Sequence, residues 1–124
     1  EQVCNQMAQT YAKSTLGQKA INSKWHKAEY PFKNRIGKYV IKGVIDLVFL
    51  DSDGTYIIVD YKTNQEMNPK EYYTQLACYR YSVAQMLNID DMSKIKCYLY
   101  YLRYAKEVDI TSECQKINIE EILK

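Results

Sequence analysis

Lys42-Gly43-Val44-Ile45-Asp46-Leu47-Val48-Phe49-Leu50, then Asp51-Ser52-Asp53-Gly54, then Tyr56-Ile57-Ile58-Val59-Asp60-Tyr61-Lys62-Thr63, reads as a β-hairpin. Two runs rich in β-branched residues flank a segment of Asp, Ser and Gly, which tolerate the left-handed backbone a tight turn needs. If the chain folds about Asp53, Asp46 falls opposite Asp60, with β-carbons roughly 5 Å apart on one face. Lys62 lies two residues further on, so the period of two puts it on the same face. Charges in such apolar runs are expensive to bury unless they are paired. Two adjacent carboxylates repel, and one must take up a proton unless a cation joins them. A hard divalent ion such as Mg²⁺ answers that need, and the main-chain carbonyl of Tyr61 offers another oxygen. A plain Asp60–Lys62 salt bridge on an exposed strand, with Asp46 a chance neighbour, is the alternative.

Upstream, residues 3–21 read as one helix, with Val3, Met7, Tyr11 and Leu16 near helical spacing and Gly17 as its weak point. Residues 25–33 read as a short strand, which Pro31 marks as an edge. Asn34-Arg35-Ile36-Gly37 reads as a turn, and residues 38–50 as the longest strand. Downstream, Asn68-Pro69-Lys70-Glu71 announces a helix, with Asn68 as cap and Pro69 in the first position. Its stripe is Tyr72, Leu76, Tyr79, Val83 and Leu87, ending near residue 87. Residues 95–104 are strand formers, residues 107–110 a possible further strand, and residues 119–123 a helical turn. The expected order is helix, three strands, helix, strand: an αβββαβ arrangement, α/β with an α+β character, in which helices flank a mixed central sheet.

The 124 residues, 47% hydrophobic and 26% charged, suit one domain with one core. No apolar run approaches the roughly 20 residues of a membrane span, and the polar start Glu1-Gln2-Val3-Cys4-Asn5 is not a secretory signal. The start lacks Met, so the chain is expected to be a segment of a longer protein. Cys4, Cys78, Cys97 and Cys114 form no closely spaced pair, which argues against a zinc or iron–sulfur site and for free thiols in a reducing cytoplasm. Residues 1–45 carry eight Lys or Arg against two Asp or Glu, and residues 46–124 carry nine against thirteen. The basic third suits a phosphate backbone, or is simply a solvated helix face.

Gly43-Val44-Ile45-Asp46, the hairpin, Val59-Asp60-Tyr61-Lys62-Thr63, and Gln75-Leu76-Ala77-Cys78-Tyr79 on a helix together resemble the PD-(D/E)xK nuclease superfamily. More narrowly, they resemble the RecB-type nuclease domain at the C-terminus of bacterial helicase–nucleases such as RecB and AddA. The likeness runs from about Glu29 to Tyr104. Each motif is weak alone and specific in combination. It implies a restriction-endonuclease-like fold, Asp46 and Asp60 as metal ligands, Lys62 as the catalytic lysine, and Gln75 and Tyr79 as a helical motif beside the site. For Tyr79 alone, core packing is the competing reading. Glu29 resembles the acidic residue that precedes the family's first strands, or is an exposed strand charge. Members often carry a metal-binding His on a preceding helix. His26, three residues before Glu29, does not match that position, so either such a His precedes this segment or the site lacks one.

The resemblance implies a Mg²⁺-dependent deoxyribonuclease, with Mn²⁺ as a substitute, that leaves 5′-phosphate ends as an exonuclease in DNA repair and recombination. Its partners would be DNA, a covalently linked helicase region and a second subunit, in a bacterial cytoplasm. No Gly-x-x-x-x-Gly-Lys loop occurs here, so any ATPase lies outside this chain. One competing function is a nuclease-like domain that binds DNA or a partner without cutting. Another is an interaction domain built on its thirteen tyrosines.

Overall fold

The computed structural model of the chain describes residues 2–122. Its elements are α1 (Gln2–Lys13), α2 (Thr15–Ile21), β1 (His26–Ile36), β2 (Tyr39–Leu50), β3 (Tyr56–Lys62), α3 (Tyr73–Met86), β4 (Ile95–Tyr101), β5 (Lys106–Asp109), α4 (Thr111–Gln115) and α5 (Ile119–Ile122). The five strands form one sheet in the order β1-β2-β3-β4-β5. Of the neighbouring pairs, β3 and β4 run parallel and the others antiparallel, and α3 makes the crossover a parallel pair requires. The mixed sheet with flanking helices is the restriction-endonuclease-like α/β fold expected above. β1, with Pro31, is an edge strand as expected.

The sheet separates two apolar layers. Ile45, Val48, Ile58, Ile95 and Leu99 pack against Leu76 and Val83 of α3. On the other face Leu47, Phe49, Ile57, Val59 and Tyr100 pack under Leu16 and Ala20 of α2. Four boundaries differ from the sequence reading, and one of them is the end of β4, which stops at Tyr101 and not at residue 104 because residues 102–105 turn toward β5. The first helix breaks at Ser14, not at Gly17, because the Ser14 hydroxyl accepts from the Gly17 N–H at 3.0 Å and starts a new helix. Asn34, Arg35 and Ile36 stay in β1, and the turn is the two residues Gly37 and Lys38, with Gly37 at φ +59°. The segment Pro69–Tyr72 is a 3₁₀ turn that feeds α3. Asn68 does not cap it; its amide donates to the Glu71 carboxylate at 3.2 Å instead.

The 51–54 hairpin forms as read, with Gly54 donating to the Asp51 carbonyl at 3.0 Å and lying at φ +86°. Cys78, Cys97 and Cys114 are free thiols. Val3 and Cys4 lie outside the residues whose side chains are described. Among the described residues no helix is long and apolar enough to cross a membrane.

Candidate active site

β3 ends in Asp60-Tyr61-Lys62, and its alternation sends the three side chains to two faces. Tyr61 enters the layer beneath α1 and α2, where Tyr11 meets it edge-on with ring centroids 5.0 Å apart. Asp60 and Lys62 point to the α3 side. The β2–β3 ladder keeps the expected register, from Leu50–Tyr56 to Leu47–Val59. At the next step the Asp46 carboxylate replaces a main-chain partner: its Oδ2 accepts from the Tyr61 N–H at 2.9 Å. In a strand a residue's N–H and C=O project to the same side, so the Tyr61 carbonyl also turns toward Asp46.

Asp46 reaches that position through an irregularity. β1 and β2 pair continuously on either side of Glu29 and Asp46, but these two residues are not paired. Ile45 packs in the α3-side layer and Leu47 in the opposite one, with only Asp46 between them, so β2 turns its faces over here. Opposite, Glu29 adopts φ +50°, a left-handed conformation uncommon for a residue with a long side chain. Such interruptions re-aim a side chain beside a functional site. The Glu29 carboxylate itself is exposed and has no hydrogen bond or ion pair among the described residues, so the structure does not bring it to the acidic pair. His26 lies at the far start of β1, facing Ser23 at 3.4 Å.

Asp60 is 5% exposed, and its Oδ2 stands 2.8 Å from Lys62 Nζ. That contact is an ion pair without the alignment of a hydrogen bond, and among the described residues no other donor reaches this buried oxygen. Burial raises the Asp60 pKa to about 6; Asp46 adds to the rise and Lys62 opposes it. From α3, the Gln75 amide donates to the Tyr79 hydroxyl at 3.0 Å. Burial pushes the Tyr79 phenol upward, and the charges of Asp60 and Asp46 push it further. The Tyr79 ring rests edge-on against Phe32, centroids 5.5 Å apart. Phe32 in turn occupies the space over Gly43, where a β-carbon would come within 3.0 Å of its ring. Asp46, Asp60, Lys62, Gln75 and Tyr79 are thus gathered at one place, and Glu29 is not.

The donor set suits a small hard cation: two carboxylates, a main-chain carbonyl, and a buried oxygen lacking a hydrogen bond. No third acidic, His or Cys side chain joins them among the described residues, which leaves the remaining positions to water and substrate. One neighbour escaped the sequence reading. The Tyr72 ring lies under Lys62 Nζ, 3.9 Å from centroid to nitrogen. The signal exists in the sequence: Tyr72 precedes Gln75 by three residues and Tyr79 by seven, a helical stripe, but such a stripe reads first as core.

The PD-(D/E)XK nuclease superfamily profile matches residues 1–121. The chain is also similar to an ATP-dependent helicase/nuclease protein of Carboxydothermus hydrogenoformans, one subunit of a larger assembly by its name, at 30% identity over 114 residues. That match covers 77% of this chain and 9% of the relative's length.

Proposed function

The chain belongs to the PD-(D/E)XK nuclease superfamily, and from that premise we propose that it hydrolyses DNA phosphodiester bonds with a divalent cation, Mg²⁺ or Mn²⁺ in its place. The carrying observation is the buried Asp60 beside the half-buried Asp46, with Lys62 Nζ 2.8 Å from Asp60. Asp46, Asp60 and the Tyr61 carbonyl would hold the cation. When bound, it would lower the pKa of a water and offset charge on the phosphoryl oxygens. Lys62 orients the attacking water or stabilises charge that develops in the transition state. Tyr79 holds the Gln75 side chain at the rim, where its amide meets the nucleic acid.

The likeness to a helicase/nuclease protein supports a wider setting: one nuclease domain, residues 1–124, within a longer helicase–nuclease of the bacterial cytoplasm. There it would act with a second subunit, as an exonuclease in repair and recombination. The competing reading, binding without cutting, draws on the exposed Glu29 and the distant His26, which leave the acidic pair without a third side-chain ligand among the described residues.

Incubating the purified chain with linear DNA in Mg²⁺ or Mn²⁺ separates the two. The nuclease reading expects cleavage that Asp60→Ala lowers by at least about a thousandfold. Intact DNA in both metals, with DNA still bound, would support the non-cutting domain.

A further inference from the structure

A lysine ammonium on a four-carbon stem does not hold one position unless something fixes it. In this site Asp60 supplies one contact to Lys62, at 2.8 Å. Asp60 is also a proposed cation ligand, and an oxygen turned toward a divalent ion holds an ammonium less firmly. The Tyr72 ring face, 3.9 Å from Nζ, is the contact that remains. Lys62 has only 16% of its side chain exposed, so this cation–π contact is largely shielded from water, where such contacts are strongest.

The ring is itself fixed. Its hydroxyl accepts from the Asn64 side-chain amide at 3.0 Å, and Asn64 lies two residues beyond Lys62. The loop that leaves β3 therefore pins the ring that lies under the last residue of β3. Arg103 holds the same loop, donating to the Thr63 carbonyl at 2.6 Å. An aromatic face suits this place better than a third carboxylate. It attracts the ammonium without adding an anion that would repel a phosphate, and it leaves the remaining N–H donors free to point at the substrate.

We propose that Tyr72 is the positioning residue for Lys62: its ring, pinned by Asn64, keeps the ammonium beside the acidic pair during turnover. The inference rests on the nuclease reading above. It assigns Tyr72 to the rate of the chemical step and not to DNA affinity.

The test compares wild type, Tyr72→Phe, Tyr72→Leu and Asn64→Ala in Mn²⁺ with linear DNA. Tyr72→Phe, which keeps the ring, should stay within about threefold of wild type. Tyr72→Leu, which keeps apolar bulk and removes the ring, should lower kcat about tenfold or more with KM unchanged. Asn64→Ala removes the same hydrogen bond as Tyr72→Phe and keeps the ring, so it should match that variant. If Tyr72→Leu does not fold, fluorinated phenylalanines at position 72 keep the shape, and kcat should decline step by step as fluorine weakens the ring face. Independently of activity, the Lys62 ε-protons should resonate upfield of those of other lysines in wild type and Tyr72→Phe. They should return to the common position in Tyr72→Leu.

An active wild type whose Tyr72→Leu variant turns over normally, or loses only affinity, overturns this inference and leaves the nuclease reading standing. So do unshifted Lys62 ε-protons in wild type. A wild type that leaves DNA intact in both metals overturns the nuclease reading first, and the rate role of Tyr72 falls with it.

Discussion

Asp60 has been taken out of water and set beside Asp46 on one side and Lys62 on the other. Burial is the largest influence and outweighs the lysine, so the carboxyl holds its proton up to about pH 6 against 3.8 when unperturbed. The sign of the consequence follows. Between about pH 4 and pH 6 the native state keeps a proton that the unfolded chain has released, so without metal the stability falls as pH rises through that window. The span corresponds to a loss on the order of 3 kcal/mol, complete above about pH 7. Asp60→Asn should flatten that decline and make the metal-free protein more stable at neutral pH, measured as urea midpoints from pH 4 to pH 8. An unchanged decline in the variant would assign it to another group. The Asp60–Lys62 pairing was legible because a two-residue period sets it, and the turn position gave the register that brings β2 alongside up to Leu47–Val59. The face reversal at Glu29 and Asp46 was not legible, since Glu has no preference for left-handed backbone and nothing local marks the kink.

The α1–α2 corner shows how an element boundary is set by one hydroxyl and one missing methyl. Ser14 ends one helix and caps the next, and Gly17 lets the Tyr11 carbonyl come so close that an added β-carbon would lie 2.1 Å from its oxygen. Gly17→Ala therefore has to push the two helices apart. It should destabilise the fold by about 1–3 kcal/mol, read in a denaturant titration, despite the better helix propensity of Ala. A stabilised variant would show that the corner can relax. The sequence suggested one helix here because the helical spacing runs from Tyr11 past Ser14 to Leu16, and periodicity does not register a side chain that bonds back to its own chain. Asn68 misled in the opposite way. It is a good capping residue in a good capping context, but the Glu71 carboxylate competes for its amide. The β2–β3 hairpin, by contrast, was readable to the residue, because Asp-Ser-Asp-Gly between alternating runs leaves few registers that bury both strands.

Across the whole molecule, β3 is held from both faces. Tyr61 is packed beneath Tyr11 and beside Tyr100 on one side, while Asp60 and Lys62 face α3 and Tyr72 on the other. The two layers thus share the three residues of the site, and whatever fixes Asp46 and Asp60 together also ties the hairpin to the crossover helix. Five of the eight basic residues of the first third fall on two surfaces. Lys13, Lys19 and Lys24 line a cavity of about 790 Å³ near the 51–54 turn, and Lys33 faces Lys42 across the β1–β2 ladder. A ligand that binds only the folded state stabilises it by mass action, by about 2.7 kcal/mol at one hundred times its dissociation constant. At pH 7.5 Asp60 is ionised and a divalent cation need not displace its proton, whereas at pH 5 it must, so the gain should shrink. Thermal melts in EDTA and in Mn²⁺ at both pH values should show a rise in Tm at pH 7.5, a smaller one at pH 5, and none in Asp46→Asn. NaCl matched for ionic strength should not reproduce the rise. An equal rise in Asp46→Asn would mean that the metal stabilises the fold from somewhere other than β2 and β3.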